Sequence, residues 1–192
     1  MRCYICAKLS WQILCKRCKK ELFATTISRR TVGTLEVISF YPYDTIEPLL
    51  LTKHTPEGYR IYKALSQITM KPFIKTFCKS DKKDIYIIGI DEDIKSGYSH
   101  VALLTHAMKS KHTIPLYGRL MARNRVTYAG KDLQFRLEHP RDFLYTGKQG
   151  IDVILVDDII TTGITLQEAH KTLISYDVNV LFALTLADAD KS

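Results

Sequence analysis

The chain has 192 residues, of which 46% are hydrophobic and 25% charged, and carries a formal net charge of +8. This length suits one domain with a small appendage, the apolar fraction excludes a disordered chain, and no stretch approaches the roughly 20 apolar residues of a membrane span. The basic balance points to an acidic partner, nucleic acid before membrane surface, although the same charge also serves solubility.

Four of the five cysteines fall in the first eighteen positions, as Cys3-x-x-Cys6 and Cys15-x-x-Cys18 with eight residues between the pairs. Two such knuckles predict a structural four-cysteine Zn²⁺ site, because metal binding supplies the folding energy that so short a segment cannot draw from a core. Disulfides are the rival reading for an exported chain. Here cysteines stand where a signal peptide would be apolar, so a reducing, cytoplasmic setting is expected. Four thiolates on one Zn²⁺ would lower the effective charge to about +6. Trp11 lies between the knuckles, near Lys16, Arg17, Lys19 and Lys20. An aromatic among cations can stack on an unpaired base, or it can pack the finger onto the main domain. Cys78 has no neighbouring base in the sequence and reads as an incidental thiol.

A boundary near residue 30 divides a zinc finger, 1–30, from a main domain, 31–192. Leu35 to Tyr41 reads as a strand, and the apolar spacing of Tyr59, Ile61, Tyr62, Leu65 and Ile68 predicts a helix over 57–70 that Pro72 stops. Ile85 to Ile90 reads as a buried strand, 98–108 as a helix and 113–117 as a further strand. The run from Gly118 to Gly150 is too long for a passive connection and reads either as a loop able to move, with Arg119, Arg123 and Arg125 able to neutralise a bound anion, or as an ordinary basic surface loop. A last strand–helix–strand unit ends at 178–186. Alternation of strands and helices predicts an α/β fold, a mostly parallel sheet flanked by helices, with ligands at the carboxyl ends of its strands.

The most informative segment is Val153-Ile154-Leu155-Val156-Asp157-Asp158-Ile159-Ile160-Thr161-Thr162-Gly163-Ile164-Thr165. A buried strand delivers two carboxylates, then a small hydroxylated turn opens a helix. Helix amides and the macrodipole attract a phosphate, Gly163 permits close approach, and the Thr161, Thr162 and Thr165 hydroxyls complete its hydrogen bonds. Asp157 and Asp158 can accept from ribose hydroxyls or hold a divalent cation. Asp91, Glu92 and Asp93 follow the earlier strand, where they repel a diphosphate unless Mg²⁺ or Lys95 intervenes, or else serve as the N-terminal charges of the following helix.

The acid pair and Thr-Thr-Gly turn resemble the phosphoribosyl pyrophosphate loop of type I phosphoribosyltransferases. Together with the cysteine knuckles and the Lys53-His54 segment, they make nearly the whole chain resemble the ComF/ComFC family of competence proteins. The chain departs from that family's pattern at Ser96-Gly97-Tyr98-Ser99, where Arg-Gly-Phe-Asn is usual, at Gly130, where Arg123, Arg125 and Thr127 lead to an expected glutamine, and at Arg136-Leu137-Glu138-His139, where Arg-x-x-Asn is expected.

The resemblance implies a phosphoribosyltransferase-like fold and a role in natural transformation. On that reading the protein binds single-stranded DNA and phosphoribosyl pyrophosphate, with Mg²⁺, beside other competence proteins at the inner membrane. A catalytic phosphoribosyltransferase of nucleotide salvage and a nucleic-acid-binding regulator that senses a nucleotide precursor are the alternatives. No general base, nucleophile or nucleobase hood can be named from the sequence.

Overall fold

A computed structural model describes residues 1–23, 27–78, 83–90, 97–124 and 133–190. The finger ends in helix α1 (Lys16–Phe23), and the first strands are β1 (Ser28–Val32) and β2 (Leu35–Pro42). The sheet therefore begins two residues ahead of the boundary expected at 30. Gly33, at φ +64°, supplies the two-residue turn that pairs β1 with β2 antiparallel. Next come α2 (Tyr43–Leu50), a 3₁₀ turn (Leu51–His54), α3 (Pro56–Ile68) and α4 (Met70–Phe77). Thr55 caps α3 by accepting from the Gly58 amide.

Pro72 does not end α3. The chain breaks at Thr69, and Pro72 sits in the first turn of α4, where its missing N–H would have no helical partner. The remaining elements are β3 (Ile85–Gly89), α5 (His100–Ala107), β4 (Thr113–Pro115), β5 (Leu120–Ala122), α6 (Leu133–Glu138), β6 (Phe143–Tyr145), β7 (Ile151–Ile160), α7 (Ile164–Ser175) and β8 (Val178–Asp188).

The main sheet has the order β1-β2-β8-β7-β3-β4, and every pair except β1 with β2 is parallel. It is the predicted α/β fold. One face buries Ile38, Ile154, Val156 and Leu184 against α1 to α5, and the other buries Val153, Leu155 and Ala183 against α7 and the β5–β6 pair. The expectation of an irregular 118–150 loop is corrected: β5 and β6 form a two-stranded sheet. Leu120, Ala122, Phe143 and Tyr145 share the second core with Leu166 and Leu173. These strands are three residues each, too short for periodicity to reveal.

From β3 the chain passes through α5 to β4 on one side, and from β7 through α7 to β8 on the other. The order reverses between β3 and β7, which opens a crevice at their carboxyl ends. Among the described residues, no helix is long and apolar enough to cross a membrane.

Candidate functional site

β7 runs on through Asp157 and Asp158 to Ile160, and α7 starts at Ile164. Between them Thr161 and Thr162 are exposed while Gly163 is buried at φ +81°, a left-handed conformation that L side chains rarely adopt. Gly163 is also the N-cap of α7 and makes no side-chain cap bond. The first-turn amides of a helix lack intrahelical partners, so this end attracts an anion. Ile164 and Thr165 begin that turn and are half-buried.

The turn is braced by the β1–β2 hairpin. A Cβ at Gly163 would lie 2.4 Å from Val32 Cγ1, and one at Gly33 would lie 2.9 Å from Gln167 Nε2. Arg30 donates to the Thr161 carbonyl and forms ion pairs with Asp188 at 3.2 Å and Asp190 at 2.7 Å. The role of Arg30 depends on an edge strand lying beside β2, which no local sequence pattern reveals.

The two acids differ. Asp157 is half-buried, and its Oδ1 accepts from the Asp158 amide at 2.8 Å. Asp158 is buried, and its Oδ2 meets Lys53 Nζ at 3.3 Å, His100 Nε2 at 3.3 Å and the Tyr62 hydroxyl at 3.2 Å. Burial by itself would raise the Asp158 pKa, but the His100 hydrogen bond and the Lys53 charge outweigh it and hold the carboxyl well below the usual range. Asp158 thus serves as the hub of a polar cluster, and Asp157 is the more exposed of the two acids.

The cluster is fixed from outside by Tyr98, whose hydroxyl donates to the carbonyls of Lys53 at 2.7 Å and Thr55 at 3.3 Å. Gly58 is required beneath it, since a Cβ there would lie 2.4 Å from that hydroxyl and 2.0 Å from the Thr52 carbonyl oxygen. The departure at Ser96-Gly97-Tyr98-Ser99 therefore carries structural work of its own: Tyr98 locks the Lys53 turn, and Ser99 caps α5 by accepting from Ala102. Lys53 was legible as a motif position. Tyr62 and His100 carried no signal beyond their place on predicted helices.

Two of the four expected diphosphate cations, Arg119 and Arg123, fall within the described residues. Arg119 reaches the Thr146 carbonyl at 3.5 Å and Arg123 the Asp142 carboxylate at 3.6 Å, and among the described residues neither bonds the Thr161–Thr165 turn. Lys95 and Arg125 lie outside the described residues, as do Asp91, Glu92 and Asp93. A cavity of about 310 Å³ lies at the carboxyl end of β3, lined by Gly89, Ile90, Ser99, Tyr117 and Gly118.

At the other end of the molecule, the sulfurs of Cys3, Cys6, Cys15 and Cys18 all lie within 4.8 Å of one another, with Cys6 and Cys15 at 3.8 Å. Tetrahedral Zn²⁺ with bonds near 2.3 Å puts its sulfurs roughly 3.8 Å apart, so the set fits that ion. The Cys15 amide donates to Cys3 Sγ at 3.3 Å. Burial raises the Cys3 thiol, but amide donors from Cys6, Cys15 and Ile5 prevail and bring it down to about 6, as suits a thiolate ligand. Trp11 is 98% exposed, so it does not pack the finger onto the domain. Leu14 and Leu22 do so, both buried in the first core. Lys16, Arg17 and Lys20 are exposed, and Lys19 bonds Gln12 at 2.8 Å.

No protein-family model matches the chain, and no curated protein matches it. Among solved structures it is similar to a hypoxanthine phosphoribosyltransferase from Staphylococcus aureus, at 20% identity and TM-score 0.43 over 66% of this chain. The match spans 64% of that enzyme, a little under two thirds of its length. An adenine phosphoribosyltransferase matches at 16% identity and TM-score 0.44, covering 90% of this chain and 89% of its own. The adenine phosphoribosyltransferase of Saccharomyces cerevisiae, solved with adenine and an imino-altritol bisphosphate, matches at 17% and 0.43 over 88% and 87%.

Proposed function

We propose that the protein is a zinc-containing, phosphoribosyltransferase-like binding protein. It holds phosphoribosyl pyrophosphate or a related ribose phosphate, with Mg²⁺, and binds single-stranded DNA. Its place, as the competence resemblance implies, is in DNA uptake at the cytoplasmic face of the inner membrane, beside other competence proteins. The observation that carries the ligand half is the turn at Gly163: exposed Thr161 and Thr162 hydroxyls and the amide end of α7 meet at the carboxyl end of a central strand, beside the reversal of strand order. Asp157 is the acid placed to accept from the ribose or to hold Mg²⁺. The DNA half is supported by the formal charge of +8 and by the fully exposed Trp11 beside Lys16, Arg17 and Lys20.

Calorimetry with phosphoribosyl pyrophosphate and Mg²⁺ tests the pocket. Replacing Thr161 and Thr162 together by alanine is expected to weaken binding by about 1–3 kcal/mol, since hydrogen bonds to a charged phosphate are lost. Unchanged affinity would sink the assignment. Pyrophosphate release in the presence of a panel of nucleobases separates a transferase from a binding protein. Absence of oligonucleotide binding at low salt, with zinc present, would remove the DNA half.

A further inference from the structure

A second pocket lies far from the Asp157–Thr165 turn in sequence, between α1, β1, β2 and α4. It encloses about 390 Å³, within the range of sites that hold a small organic ligand. Its aromatic wall is rigidly built. Phe73 stands edge-on to Phe40 at 5.7 Å and stacks parallel to Phe77 at 6.3 Å, and Phe77 meets Phe182 edge-on at 5.1 Å. Phe23 borders the pocket from α1 and is 62% exposed. An aromatic surface left open to water in this way is a stacking platform without its partner.

Two further features narrow the partner. Tyr41 lines the pocket, and its hydroxyl is buried with no hydrogen-bond partner among the described residues. A buried hydroxyl is rarely left unsatisfied, so the occupant should bring a polar edge as well as a flat apolar face. The framing elements are also strongly cationic: α1, β1, β2 and α4 carry Lys16, Arg17, Lys19, Lys20, Arg29, Arg30, Lys71 and Lys75 against two acids, Glu21 and Glu36, the second of which pairs with Arg29 at 2.9 Å. A lone apolar side chain or an acyl chain satisfies neither feature. A flat heterocycle with ring nitrogens and carbonyls, attached to a phosphate backbone, satisfies both.

We propose that this pocket receives an unpaired base of single-stranded nucleic acid, while the lysines and Arg29 around it follow the backbone. The proposal rests on the DNA-binding reading above and gives it a place in the fold. Specificity there is weak, because stacking accepts any base.

The test uses the full-length zinc-loaded protein and two labelled oligonucleotides of equal length, oligothymidine and its abasic counterpart, in fluorescence anisotropy at low salt. Oligothymidine is expected to bind about 5- to 10-fold more tightly than the abasic strand, the scale of one stacked base. Thr76→Trp, on the exposed side of α4, fills the pocket and should bring oligothymidine down to the abasic level without changing abasic binding. Tyr41→Phe preserves volume and fold and should lower oligothymidine affinity alone, by about 3-fold, the scale of one hydrogen bond. Equal binding of both strands by the wild type, or undiminished oligothymidine binding by Thr76→Trp with an unchanged melting curve, overturns the proposal. So does an anilinonaphthalene probe that Thr76→Trp excludes but excess oligothymidine does not displace, since the pocket would then belong to an apolar partner. Failure of both strands to bind at all removes the DNA reading itself, and the proposal with it.

Discussion

Val32 closes over Gly163: a methyl group added to the glycine would lie 2.4 Å from Val32 Cγ1 and 2.9 Å from Cγ2, at a backbone φ of +81°. The antiparallel edge hairpin is therefore in direct contact with the start of α7. This relationship makes the hairpin part of the scaffold of the Thr161–Thr165 turn.

Gly163→Ala is accordingly expected to destabilise the protein by at least the 1–2 kcal/mol of a left-handed alanine, with the clash added. Val32→Ala removes the colliding methyls, so the double variant should be less unstable than the sum of the two singles. Urea unfolding of the four proteins measures this coupling. Strict additivity would show that the two residues do not share the contact.

Asp158→Asn should behave differently from Asp157→Asn although the two acids are neighbours. Asp158 is buried against Lys53, His100 and Tyr62, and removing its charge leaves a cation facing a neutral amide. The expected loss is about 3 kcal/mol, at the low end for a buried pair, because Lys53 is about one third exposed and can turn toward water. Asp157→Asn keeps an oxygen for the Asp158 amide, so unfolding should change by less than about 1 kcal/mol while ribose phosphate affinity falls. Equal destabilisation by the two variants would contradict the distinction between hub and ligand contact.

The same network sets an acid limit. Burial favours protonation of Asp158, but the His100 hydrogen bond and Lys53 charge dominate and depress its pKa below that of the unfolded chain. A depressed carboxyl contributes stability that is fully present above its unfolded value, about 3.9, and is lost as pH falls toward the folded one. The stability gap between wild type and Asp158→Asn should shrink as pH falls below about 4. A gap that kept its full size down to about pH 2 would show that the Asp158 carboxylate does not carry it.

What the sequence revealed depended on how local each feature is. The β7 strand, the Asp157–Thr165 turn and α7 are one continuous stretch whose pattern and glycine carry their own meaning, and the cysteine spacing points to a four-sulfur cluster before any fold is known. The Asp158 hub was hidden because its partners come from positions 53, 62 and 100, brought together only by packing of α3 and α5 on the sheet. Arg30 was hidden because an edge strand can pair in several ways. The β5–β6 pair escaped because three-residue strands show no alternation.

Zinc should matter to the whole domain rather than to the finger alone. Leu14 sits between the two knuckles and Leu22 just beyond the second, and both are buried in the core shared by α3, α4 and β2, with α1 packed on α3. Seating two such leucines is worth roughly 3–6 kcal/mol, which the finger keeps only while its loop is closed. Chelation is therefore expected to lower the main melting transition, on the order of 10 °C for a chain of this size, instead of adding a separate early one. Cys15→Ser should lose metal by mass spectrometry and melt like the chelated protein. Leu14→Ala should keep its zinc yet lower the melting temperature, and chelation should then cost it less than it costs the wild type, because the leucine is one route by which metal binding reaches the core. A chelated wild type that melts unchanged would mean that the knuckles and the sheet fold independently.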